Sequence, residues 1–191
     1  MRKLIASLFA ASVIVGALPL SSMAEDAAPA ATLDATAIRR QLDSRLFDAA
    51  RAGETEVIAT FIDSHYDLDR RTPEGYTPLI LAAYHGEAKT VDQLLAAGAD
   101  PCAKDRRGNT ALMGAIFKGE LRIAKRLLDA KCNADERNNA GQTPAMYAAL
   151  FGRVELLDEL RERGADMNAS DVDGNTPTEL LRGKIRTAAP H

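Results

Sequence analysis

The residues whose types could carry covalent or metal chemistry are few in this 191-residue sequence, so they come first. Its three histidines, His65, His85 and His191, have no cysteine or second histidine at metal-ligand spacing. His65 and His85 fall where helices are predicted to close, a loop position more than a catalytic one. No serine lies in a Gly-x-Ser-x-Gly elbow, so an activated nucleophile of that kind is missing. The carboxylate pairs Asp67 with Asp69 and Asp171 with Asp173 sit in polar turn sequences, where solvated turn residues account for them better than a general acid and base. The glycines are spaced for helix ends, and none forms a phosphate-cradling loop. These residues point to a non-enzymatic chain without metal or cofactor.

What positions the remaining side chains is a register. Gly75-Tyr76-Thr77-Pro78-Leu79 returns as Gly108-Asn109-Thr110-Ala111-Leu112, Gly141-Gln142-Thr143-Pro144-Ala145 and Gly174-Asn175-Thr176-Pro177-Thr178, always 33 residues apart. Gly53, Gly86, Gly119 and Gly152 run in step, as do His65, Gly98, Lys131 and Gly164. Columns with one period mean a repeat array. Each threonine can cap a helix, and the following proline fits the first helical turn, where its missing donor is harmless. Leu79, Ala82 and Ala83 put small residues on one face for close helix approach. Glycine then lets the chain leave in a left-handed conformation. A second helix follows, with Val91, Leu94 and Leu95 or Ile123, Leu127 and Leu128 on its apolar face. Polar turns such as Lys104-Asp105-Arg106-Arg107-Gly108 lead back to the next threonine.

On these residues the chain resembles an ankyrin repeat array. The likeness rests on Thr77-Pro78-Leu79, Ala82-Ala83, Gly86, Leu94-Leu95 and Gly98-Ala99-Asp100, and it covers roughly residues 42–183. It implies an all-α solenoid of about four and a half helix-turn-helix units with projecting turns. The units are 42–74, 75–107, 108–140, 141–173 and a partial 174–183, within a repeat domain over 36–183 and ahead of a tail over 184–191. In the first unit Ser44 takes the threonine slot, and Arg39, Arg40 and Arg45 supply a polar outer face. One departure recurs: the histidine of the family's Thr-Pro-Leu-His phrase is replaced by Ile80, Met113, Met146 and Glu179. The threonine-to-histidine hydrogen bonds should therefore be absent and apolar packing should matter more.

Met1–Ala24 has the layout of a cleavable export signal: Arg2 and Lys3, an apolar run over Leu4–Leu20, then Ser22 and Ala24 at cleavage-site spacing. At 17 residues that run is short for a membrane span. Cleavage after Ala24 leaves a periplasmic chain with no membrane attachment, led by a polar, mobile segment over 25–35. The whole chain carries 24 basic and 27 acidic residues, net −3; without Arg2 and Lys3 the balance is 22 against 27, net −5. That acidic balance argues against a nucleic-acid partner. A monomer is expected.

Cys102 and Cys132 fall in adjacent repeats at similar height, and an oxidising compartment would permit a bond between them. Layers set by helix packing lie roughly 8–10 Å apart, whereas a disulfide needs Cα atoms within about 7 Å. A bond and two small packed thiols both stay open.

The resemblance also implies a binding surface, made by the turns and the first helices of each unit. Carried over residue by residue, it assigns Arg70, Arg71, Tyr76, Lys104, Arg106, Arg107, Asn109 and Arg137 on the fingers. On the helix ends it assigns Tyr84, His85, Phe117, Lys118 and Phe151, with Tyr84, Phe117 and Phe151 as an aromatic ladder. Exposed aromatic and arginine side chains are enriched at protein-binding hot spots. The leading expectation is capture of another exported protein, an enzyme that is protected, assembled or inhibited, as an immunity protein would do. The alternatives are an anionic envelope polymer or glycan held by the basic fingers, and a redox-responsive adaptor using the two cysteines.

Overall fold

A computed structural model describes residues 34–130 and 132–187. The export-signal and leader expectations therefore fall almost wholly outside the described residues. Helix α1 (Ala35–Ala52) pairs with α2 (Thr55–Asp63), α3 (Pro78–His85) with α4 (Ala88–Ala96), and α5 (Ala111–Lys118) with α6 (Leu121–Leu128). Helix α7 (Pro144–Leu150) pairs with α8 (Val154–Glu162), and α9 (Pro177–Leu181) follows. No strand occurs among the described residues, only a single antiparallel bridge between Lys104 and Thr110. The odd-numbered helices pack side by side as an inner row and α2, α4, α6 and α8 as an outer row. This is the expected all-α solenoid.

The threonine column starts the inner helices as its chemistry requires. The hydroxyls of Thr77, Thr110, Thr143 and Thr176 accept from the amides of Ile80, Met113, Met146 and Glu179 at 3.3, 3.4, 3.3 and 3.2 Å. In the column that lacks the family's histidine, Ile80 and Met113 are buried, as expected of apolar joints. The other two do more: Met146 Sδ accepts from the Thr143 amide at 3.5 Å, and the Thr176 hydroxyl donates to Glu179 Oε2 at 3.3 Å. Behind the caps, Ala49, Ala82, Ala115 and Ala148 are fully buried, so neighbouring inner helices approach at small side chains. One continuous core runs from Leu46 to Leu180.

Helix exits follow the glycine columns. Gly86 leaves α3 at φ 82°, where only glycine avoids a steric penalty. His65, in the second exit column, adopts φ 53° and is the one described non-glycine residue with positive φ.

The two ends of the array depart from a simple repeat. Ser44 caps nothing: α1 runs through it for 18 residues, back to Asp34, whose carboxylate accepts from the Thr36 amide at 3.0 Å. Without a threonine-proline pair to stop it, the helix propagates to the first residue able to cap it. At the other end, the described residues beyond α9 fold back onto the last finger. The Arg186 amide donates to Asn175 Oδ1 at 2.6 Å, and Asn175 Nδ2 donates to the Arg186 carbonyl at 3.0 Å. The Arg186 guanidinium reaches the Gly174 carbonyl at 3.1 Å and pairs with Glu179. This strap satisfies Asn175, which is 4% exposed, where a further finger would otherwise sit.

Cys102 and Cys132 are joined, with Cα atoms 5.6 Å apart and an S–S distance of 2.02 Å. The helix-packing distance was the wrong ruler for this pair. Both residues lie in the loops past the outer helices, where successive repeats meet at hydrogen-bonding distance. Nearby, the Asp100 amide donates to Asp69 Oδ1 at 3.0 Å, and Asp166 donates to Asp135 Oδ1 at the same distance.

Candidate functional site

The fingers are built from aspartate or asparagine turns. Asp105 Oδ1 accepts from the amides of Arg107 and Asn109, both at 2.8 Å, and Asn138 and Asp171 do the same one and two repeats further on. Asp67 and Asp171 are thus turn-holding groups, Asp67 Oδ1 accepting from the Asp69 amide at 3.0 Å, while the Asp69 carboxylate accepts from the Asp100 amide of the next repeat. Successive fingers are tied by backbone bonds: Arg106 to the Glu74 carbonyl at 3.0 Å, Asn139 to Arg107 at 2.9 Å, and Val172 to Ala140 at 3.1 Å.

Most of the basic finger residues assigned to partner binding are engaged within the molecule. Arg71 donates to the Lys104 carbonyl; Lys104 Nζ donates to the Arg137 carbonyl at 3.1 Å; Arg137 donates to the Ser170 carbonyl at 2.7 Å. Each long cation staples its finger to the one 33 residues on. Arg70 makes a two-pronged pair with Asp43 at 2.8 and 2.7 Å, and Tyr66 donates to the same carboxylate at 2.9 Å. The Arg70 guanidinium holds the Asp43 carboxyl below the usual carboxylate range. Asn109 also turns inward, accepting from Asn138 at 3.0 Å and from the Tyr147 hydroxyl at 2.9 Å. Burial pushes the Tyr147 phenol up, so it stays protonated and donates.

Arg106 and Arg107 are different. Both are exposed, and neither guanidinium has a carboxylate or carbonyl partner among the described residues. Arg107 shares one cleft with the aromatic ladder, which forms as expected. Tyr84 stacks on Phe117 at 6.0 Å with planes 12° apart, and Phe117 meets Phe151 edge-on at 4.9 Å. Tyr147 continues it, 5.8 Å from Phe151. Lys118 Nζ lies 5.0 Å from the Tyr84 ring centre, a cation-π arrangement. His85 packs edge-on to Tyr84 at 5.6 Å and is exposed. Tyr84 and Phe117 remain 39% and 42% exposed despite this packing. Tyr76, by contrast, is half-buried against the core.

Between finger and ladder opens a cleft of about 580 Å³, walled by Tyr84, Phe117 and Tyr147, floored by Met113 and Gly114, with Arg107 on its rim. The size lies within the roughly 300–1,000 Å³ typical of ligand sites. Sequence reading had missed Gly114, Tyr147 and Arg51, which also borders the cleft. A signal was present in the register: the column Leu81, Gly114, Tyr147 changes size at every step, whereas the buried column Ala49, Ala82, Ala115, Ala148 does not change at all. No group of three or more histidine, cysteine, aspartate or glutamate side chains is arranged for a metal among the described residues. No described helix is long and apolar enough to cross a membrane.

A comparison with curated proteins finds no match. A family model described as ankyrin repeats in three copies matches residues 40–105 and 89–171, well over half of the chain. Those bounds take in the inner helices capped by Thr77, Thr110 and Thr143, the glycine exits and the stapled fingers described above, and the chain belongs to the ankyrin repeat family.

Proposed function

We propose that this chain is a non-enzymatic, exported binding protein that grips another exported protein through the face made by its fingers and inner helices. Ankyrin repeats are protein-interaction modules. The observation that carries the reading is the half-exposed ladder of Tyr84, Phe117 and Phe151 with Arg107, which has no partner among the described residues, on the same cleft. Aromatic area with adjacent arginine is the composition of an interface hot spot. The layout of Met1–Ala24 and the bonded pair Cys102–Cys132 support a periplasmic location, since disulfides persist in oxidising compartments. The partner is taken to be an enzyme in the same compartment, shielded or inhibited by occlusion, with this chain acting as a monomer.

Affinity capture from a periplasmic extract tests this, with the mature chain beside its Phe117→Ala variant at low and high salt. Capture that survives salt and weakens with Phe117→Ala supports an apolar-anchored protein interface. Capture of an anionic polymer that fades steeply with salt would favour the basic-finger alternative. That alternative is weakened already, because Arg70, Arg71 and Lys104 are engaged internally.

A further inference from the structure

Gly114 sits inside α5 with ordinary helical backbone, so no left-handed turn demands it. Nor does crowding: a Cβ built there would come no nearer than 3.8 Å to Tyr84, an ordinary contact. In a helix interior glycine is less stable than alanine by roughly 0.5–1 kcal/mol. The preceding repeat carries Leu81 at this position, and the next carries Tyr147. What the missing side chain provides is open space in the cleft floor, between the ladder and the Asn109–Tyr147 hydrogen bond.

The cleft border carries both signs of charge, and its charged groups differ in whether they are already bonded. The Asp105 carboxylate holds the turn through the Arg107 and Asn109 amides, and a bond from Thr72 keeps the Glu74 carboxyl below its usual range, so it stays ionised. The Arg107 guanidinium has no partner among the described residues, and Lys118 has a ring beneath it but no carboxylate within salt-bridge reach there.

We infer that the notch at Gly114 is a specificity pocket for one aromatic or long aliphatic side chain on an acidic segment of a protein partner. That side chain enters between Tyr84, Phe117 and Tyr147, and a neighbouring carboxylate pairs with Arg107. This rests on the protein-binding reading above and adds to it the chemistry of the segment recognised. A carboxylate meets the guanidinium fork in two parallel bonds, and rings present flat apolar walls to the entering group.

The test is selection of a displayed library of random 12-residue peptides, about the length of an extended stretch spanning a few repeats, on the wild-type protein. The selected peptides are then measured as fluorescein-labelled probes by anisotropy. Enrichment of peptides joining Asp or Glu to one Phe, Tyr, Trp, Leu or Met is expected. Gly114→Leu, which restores the preceding repeat's residue, should weaken them at least about tenfold without lowering the melting temperature. Gly114→Met, a more flexible plug, should do the same, and Arg107→Glu should also weaken them. The inference is overturned if no such class is enriched, or if the selected peptides bind Gly114→Leu and Gly114→Met as tightly as wild type. Phe117→Ala separates the two claims. Peptides that ignore the plugs but are lost with Phe117→Ala leave the binding face standing and remove the notch; peptides indifferent to all of these variants remove both.

Discussion

Two sets of cations stand within a few residues of each other on the fingers and have opposite fates. Arg71, Lys104 and Arg137 recur every 33 residues, and each crosses to a carbonyl of the next finger. Arg106 and Arg107 stand in columns where the other repeats carry Pro73, Asn139 and Val172, or Glu74, Ala140 and Asp173, and both guanidinium groups remain free among the described residues. The difference teaches how to read a repeat protein. A side chain that returns with the period meets the same neighbour each time and is selected by the fold. One that breaks the period has no equivalent contact to make. The same division holds on the inner helices, where the alanine layer is periodic and buried while Leu81, Gly114 and Tyr147 are irregular and border the cleft.

Substitutions can break or sharpen this division. The largest effect belongs to a periodic core position: Leu94→Ala, at a fully buried site, should destabilise the fold by about 2–5 kcal/mol in denaturant melts. Unimpaired stability there would mean that the outer helices do not pack as described. Removing the disulfide with Cys102→Ser and Cys132→Ser releases a loop of sequence separation 30. On the chain-entropy account this should lower stability by about 3–4 kcal/mol, read from the same melts without reductant.

Asp43 gives a smaller effect with a pH signature. Its pairing with Arg70 depresses its pKa in the folded state, so its contribution is complete above the unfolded value near pH 4. That contribution disappears as pH falls through the lower folded value. Asp43→Asn should cost about 1–2 kcal/mol at pH 7, discounted for the partial exposure of Arg70, and should flatten the acid limb of the stability profile. An acid limb identical to that of wild type would deny the pair its role. Smallest on stability are the staples: Arg71→Met with Arg137→Met should lower it by about 1 kcal/mol or less, because both side chains are exposed.

Much of the fold was legible because it depends on local rules that repeat. Thr77, Thr110, Thr143 and Thr176 cap in place, and Gly53, Gly86 and Gly119 exit in place. The ladder of Tyr84, Phe117 and Phe151 followed from the same register. What the register could not carry was whatever depends on the distance between layers. The helix-packing spacing left a bond between Cys102 and Cys132 open, whereas their loops bring the Cα atoms to 5.6 Å. The ends were harder for a related reason. Ser44 occupies a capping slot, but without proline after it the helix continues to Asp34, and nothing periodic announces the strap at Arg186. Of the candidate site, the availability of the side chains was not legible: Arg70, Arg71, Lys104, Arg137 and Asn109 are bonded to partners within the molecule.

The measurement that bears most directly on the central claim is the affinity of the captured partner for two double variants, each measured beside its melt. Arg106→Glu with Arg107→Glu should weaken binding by at least about tenfold while stability stays within about 0.5 kcal/mol of wild type. Arg71→Met with Arg137→Met should leave binding unchanged. Binding that survives in the first variant and fails in the second would contradict the account, placing the grip on the stapled column instead of the free one.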